Sequence, residues 1–178
     1  MVISFRPAVP ADLPAIASLV NSAYRGDSSR AGWTTEADLL GGQRTDPDSL
    51  RDQLATGAAV LLLAQAEGTL YGCVFLERDR ERDEAYLGML TIAPALQNTG
   101  LGRALLAHAE TFAREAWQAN AMRMTVIAQR TELLAWYERR GYVPTGEREP
   151  FPYGDARFGL PKRADLYFSV LRKALGPT

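Results

Sequence analysis

The segment Gln97-Asn98-Thr99-Gly100-Leu101-Gly102-Arg103 has the residue types and spacing to hold a phosphate. Gly100 and Gly102 lack a Cβ, so an anion can approach the backbone, and Arg103 adds a cation. The apolar face of Leu101, Leu105, Phe112 and Ala116 predicts a helix from Leu101 to about Asn120. The first amides of that helix have no partners inside it, and the peptide dipoles place partial positive charge there. On spacing alone the same residues also describe a plain helix start. No Gly-Lys-Ser/Thr follows, which excludes P-loop nucleotide binding, and the missing third glycine excludes the dinucleotide fingerprint.

The elements that must position this turn can be read on either side of it. Tyr86 to Ile92 predicts a half-buried strand, and Pro94 marks where its pairing stops. Residues 2–6 predict a first strand, and Asp12 caps a helix whose buried stripe includes Leu13, Ile16 and Val20. Thr34 to Leu40 reads as weakly helical, and Asp48 to Ala55 as a short helix. Ala58 to Ala64 and Leu70 to Leu76 form a hairpin pattern. Beyond the long helix come a strand over Met122 to Ala128 and a helix from Thr131 that Gly141 ends. Strands over Tyr142 to Glu147 and Asp165 to Leu171 close the chain, around a Pro- and Gly-rich loop from Arg148 to Arg163.

Three motifs in order, Leu90-Thr91-Ile92-Ala93-Pro94, Gln97-x-x-Gly100-x-Gly102 and Trp136-Tyr137-Glu138-Arg139-Arg140-Gly141-Tyr142, resemble the GCN5-related N-acetyltransferase (GNAT) superfamily. The resemblance implies an α/β (α+β) fold, with a mixed central sheet of about seven strands flanked by about four helices. Its strands would be mostly antiparallel, with a parallel pair next to the coenzyme A site. It also implies acetyl-CoA as cosubstrate, no metal, and an amine acceptor that attacks the thioester directly. Leu90, Thr91 and Ile92 would hydrogen-bond the pantetheine arm, and an amide there would polarise the thioester carbonyl. Gln97, Asn98, Thr99, Gly100, Leu101, Gly102 and Arg103 would carry the pyrophosphate.

Tyr137 matches the family tyrosine that lies near the sulfur and protonates the departing thiolate; a phenol is a usable donor to such a leaving group. Relatives commonly carry Asn seven residues before it, where this chain has Arg130, which could reach the cofactor or face solvent. Glu84 is the nearest match to a family base, with Glu36 and Asp38 as rivals. On the acceptor side the resemblance points to Tyr24, Trp33, Glu36, Phe151 and Tyr153. Aromatics beside carboxylates suit an amine with an apolar body, whereas Arg25, Arg44 and Arg157 suit a carboxylate-bearing acceptor. Both remain open, as do a protein lysine or N-terminal acetyltransferase and a non-catalytic acyl-CoA-binding module.

Composition excludes other classes. With 178 residues and 47% apolar content, residues 1–178 are expected to form one domain, and no run approaches the ~20 apolar residues of a membrane span. A formal net charge of -1 argues against nucleic acid as a partner. One cysteine and one histidine leave little for disulfides or metal sites. Cys73 reads as a small buried residue and His108 as helix packing. The first residues lack signal-peptide features, so a cytoplasmic location is expected. A homodimer is common in the family, and no residue here reports one.

Overall fold

A computed structural model describes residues 1–177. Its central sheet draws strands from almost the whole chain, in the order β1-β3-β4-β5-β6-β9-β7. These are β1 (Ser4–Pro7), β3 (Ala59–Ala66), β4 (Thr69–Asp79), β5 (Glu84–Ile92), β6 (Ala121–Ile127), β7 (Val143–Pro150) and β9 (Tyr167–Ala174). All pairings are antiparallel except β5 with β6, so the expected mixed sheet with one parallel pair is the observed one. A second, two-stranded sheet pairs β2 (Leu40–Gly41) with β8 (Leu160–Pro161) and was not legible in the sequence.

Four α-helices cover the sheet: α1 (Leu13–Tyr24), α2 (Pro47–Leu54), α3 (Leu101–Trp117) and α4 (Thr131–Glu138). The run Leu61-Leu62-Leu63 is buried throughout because β3 has a core on each face. Leu62 packs with Leu105, Met122 and Tyr142 in one cluster, while Leu61 and Leu63 pack with Ile16, Val20 and Leu50 of α1 and α2 in the other. Burying each leucine contributes roughly 1.5–3 kcal/mol.

Local expectations were corrected in three places. Asp12 does not cap α1; its carboxylate accepts from both terminal nitrogens of Arg6, at 2.7 and 2.9 Å, and from the Val9 amide. Asp46 caps α2 by accepting from the Ser49 amide at 2.8 Å, one turn position earlier than the apolar pattern implied. Thr34 to Leu40 forms turns and the first residue of β2 instead of a helix, because its threonines spend their hydroxyls on other loops.

Among the described residues no helix is long and apolar enough to cross a membrane, and no group of His, Cys, Asp and Glu is placed to hold a metal ion. Cys73 is buried with its thiol pushed up to about 12 by that burial, which leaves it unreactive.

Candidate active site

Strand β5 is built irregularly at the residues that matter. Its pairing with β4 passes from Phe75↔Gly88 to Cys73↔Thr91, so Met89 and Leu90 together oppose Val74. This is a β-bulge, with Met89 in the left-handed region at φ 49° and the Thr91 hydroxyl donating across it to the Met89 carbonyl at 2.9 Å. On the other edge the parallel register with β6 covers only Glu84↔Ala121 to Tyr86↔Arg123. Beyond Tyr86 the two strands part, and the β5 edge has no strand partner.

A cleft of about 330 Å³ opens at the C-terminal end of β5. Asn98 at φ 63° and Gly100 at φ 90° bend the turn through the left-handed region, a conformation that favours glycine and tolerates asparagine. Gly100 caps α3 without any side-chain acceptor, and a Cβ built on it meets no protein atom within 4 Å. The Gly102 Cβ position lies 3.5 Å from Ile92 and 3.6 Å from Trp136, so a larger residue would crowd the wall. Three arginines, Arg103, Arg139 and Arg140, line the same cleft. Arg140 lies flat over the Trp136 ring at 3.6 Å and donates to the Trp136 carbonyl, yet its Nε is buried without a partner. Burial, then the like charges of Arg139 and Arg103, push its guanidinium down. Arg139 and Arg140 escaped the sequence reading, although they sit inside the third motif.

A second cavity, of about 280 Å³, lies between the parting strands and is partly open to solvent, with Leu40 of β2 and Phe158, just before β8, on its wall. Glu36 is its buried centre. One oxygen accepts from Arg25 Nη2 at 3.1 Å and the other from Arg130 Nη1 at 3.0 Å. Arg25 also donates to the carbonyls of Gly41, Gln43 and Phe158, tying both halves of the β2–β8 pair together. Phe151 stacks on Phe168 at 5.7 Å along one wall. Glu149, unmarked in the sequence, reaches this wall and accepts from Arg123 at 2.6 Å.

The cleft and the cavity share Leu90, Leu133 and Tyr137. Tyr137 is 5% exposed, and among the described residues its hydroxyl has no hydrogen-bond partner. Burial pushes its phenol well above the ordinary value, so it keeps its proton. The Tyr24 hydroxyl donates to the Leu90 carbonyl, fixing the strand edge where the two spaces meet.

The structure therefore brings together Leu90, Ile92, Asn98, Gly100, Gly102, Arg103 and Tyr137 in one cleft, and Tyr24, Glu36 and Phe151 in the adjoining cavity. Other expected residues are placed differently. Glu84 accepts from Arg172 at 2.7 Å at the opposite end of β5, about 20 Å along the strand from Leu90, too far to serve as the base. Arg130 donates to Glu36 and the Thr34 carbonyl and lines the second cavity, not the cleft. Trp33 lines the cleft beside Trp136, not the second cavity. Tyr153 lies outside both, accepting from the Leu166 amide and donating to the Arg163 carbonyl. The side chains of Thr91, Thr99 and Leu101 serve the fold: the first stitches the bulge, the second donates to the Leu96 carbonyl, and the third enters the core. The Gln97 side chain is also spent on protein contacts, with Thr34 and Ile92 among them.

Residues 34–151, which span the turn, Tyr137 and most of the cavity, match the family described as acetyltransferase (GNAT) domain. The chain belongs to the GNAT acetyltransferase family. A curated relative, an amino-acid acetyltransferase from Ralstonia nicotianae, is 35% identical over 77 residues, covering 43% of this chain and 16% of that protein. The GNAT fold also recurs in solved structures. A chimera of the Vibrio cholerae spermidine N-acetyltransferase superposes with TM-score 0.69 at 18% identity, covering 97% of this chain and 95% of its own. A Salmonella typhimurium protein described as an acetyltransferase, solved with its cofactor acetyl-CoA, gives 0.70 at 19%, covering 100% and 96%. The ribosomal-protein-S18-alanine N-acetyltransferase of Escherichia coli gives 0.67 at 16%, covering 99% and 96%.

Proposed function

We propose that this GNAT chain is a single catalytic domain that moves an acetyl group from acetyl-CoA to the primary amine of a small molecule, by direct attack in a ternary complex. The observation that carries the reading is the junction itself: a phosphate-suited cleft and an adjoining, partly open cavity meet at Leu90 and Tyr137. The open space at Gly100, the first amides of α3, which no side chain caps, and the three arginines suit a phosphorylated cosubstrate. Acetyl-CoA, when bound, supplies an activated acyl group as a thioester.

The residues of the chain do the remaining work. Amides of the Asn98 to Arg103 turn hold the phosphates, and the unpaired edge of β5 hydrogen-bonds the pantetheine arm. An amide at the Leu90 bulge faces the developing oxyanion, a donor whose value depends on position more than on side chain. Tyr137, kept protonated by burial, donates to the departing thiolate. An ammonium has no lone pair, so the acceptor must first lose a proton. Both oxygens of Glu36 are held by arginines in the interior, whereas Glu149, paired with Arg123 through one oxygen, keeps an exposed edge through which that proton can leave, directly or by water. Leu40 and Phe158 stand on the wall of the second cavity, whose volume of about 280 Å³ favours a small acceptor over a protein chain.

Calorimetric titration with acetyl-CoA tests this reading beside Gly100→Glu, which places a side chain and a negative charge in the turn. Binding to the parent and not to the variant, with CoA release on adding amines, supports it. A folded parent that does not bind acetyl-CoA overturns it. Binding without CoA release from any amine leaves an acyl-CoA-binding module instead.

A further inference from the structure

Resting on the acetyl-transfer reading, we infer that the acceptor is an anionic amine, whose carboxylate sits on Arg44 while its amino group points to the Leu90–Tyr137 junction. Three arginines, Arg25, Arg44 and Arg130, line the acceptor cavity around a single buried carboxylate, Glu36. Arg25 is consumed by Glu36 and backbone carbonyls, and Arg130 by Glu36 and Thr34. Glu149, the other cavity carboxylate, is already neutralised by Arg123. Among the described residues the Arg44 guanidinium has no ion pair and no hydrogen bond, although it is half-buried. It is the one cavity charge left for a ligand.

The placement of Arg44 is built. Its amide donates to Asn21 Oδ1 at 2.7 Å, the Thr45 amide donates to the same oxygen at 3.1 Å, and Asn21 Nδ2 returns a bond to the Thr45 carbonyl at 2.9 Å. The backbone is thus clamped to α1 while the guanidinium stays unspent. Burial pushes the Arg25 guanidinium down, Glu36 opposes that, and the like charges of Arg44 and Arg130 add to it. An anion at Arg44 would relieve this repulsion, and a carboxylate can engage a guanidinium through two parallel bonds. A polyamine would bring further positive charge to a wall already rich in it. Arg157, the remaining arginine that suited a carboxylate by sequence, is exposed and locked to Asp155. A cavity of about 280 Å³ matches an acceptor the size of an amino acid.

The experiment compares CoA release from L-α-amino acids, their methyl esters and spermidine, in the parent, Arg44→Gln and Arg44→Lys. Esterification removes the carboxylate charge and also makes the amine less basic, which by itself favours acetylation. A preference of the parent for free acids therefore reports recognition of the anion. The expected result is that preference, with kcat/KM for the acid falling about 10- to 100-fold in Arg44→Gln, a smaller loss for the ester, and partial retention in Arg44→Lys. A parent that turns over esters or spermidine in preference to acids overturns the inference and leaves acetyl transfer standing. Acetyl-CoA binding with no turnover of any amine overturns both.

Discussion

Gln97 and Trp33, far apart in sequence, are joined where the turn before α3 begins: the Gln97 side-chain oxygen accepts from the Trp33 amide at 2.8 Å and from the Thr34 amide at 3.3 Å. Its nitrogen donates to the Thr34 hydroxyl at 2.8 Å and to the Ile92 carbonyl at 3.2 Å. One side chain thus builds a wall of the cleft by latching the N-terminal loop to the end of β5. Gly32 leaves room for it, since a Cβ there would fall 2.4 Å from the Gln97 oxygen.

Gln97→Ala is therefore expected to lower stability by about 1–3 kcal/mol, the cost of stranding these partners, and to raise KM for acetyl-CoA through loss of the Trp33 wall. Gly32→Ala should reproduce the kinetic defect by pushing Gln97 aside. Thermal melts and KM values check both.

Glu36 serves two buried arginines from distant elements. Glu36→Ala leaves both cations uncompensated and is expected to cost about 3–5 kcal/mol in denaturant unfolding. Because Arg130 then has lost its ion pair and keeps only its bond to the Thr34 carbonyl, adding Arg130→Met should cost less than the two single losses combined. Simple additivity in that cycle would mean the two side chains are not coupled.

Tyr137→Phe keeps the ring packing against Trp136 and Tyr142 while removing the proton donor. The expected outcome is a fall in kcat of about 100-fold with the melting temperature nearly unchanged. With the phenol raised by burial, the parent should show no alkaline loss of activity from this group up to pH 10.

His108, the one histidine, stacks on Phe5 at 4.7 Å, and burial lowers its affinity for a proton below the ordinary imidazole value of 6.5. The unfolded chain takes up that proton first as the medium is acidified. Its contribution is complete above about pH 6.5 and is lost as the pH falls through that value. Unfolding titrations between pH 5 and 8 should show this slope in the parent and its absence in His108→Gln.

The glycine turn, the long helix behind it and the helix that carries Tyr137 were legible in the sequence because each rests on local requirements. Gly100 answers a left-handed backbone, Pro94 ends a strand, and apolar spacing marks a helix face. Neighbours along the chain impose these constraints, so the residues announce them. The bulge at Met89 and Leu90 had no such sign, since it follows from the register with β4. The acceptor side was decided only by tertiary structure. Glu36 meets Arg25 across 11 positions and Arg130 across 94, and Glu149 reaches the cavity through the pairing of β7 with β9. Glu84, Trp33 and Tyr153 took other partners for the same reason. A charged side chain is spent or left free according to which distant segment folds against it, and that pairing, not residue type or spacing, singles out Arg44.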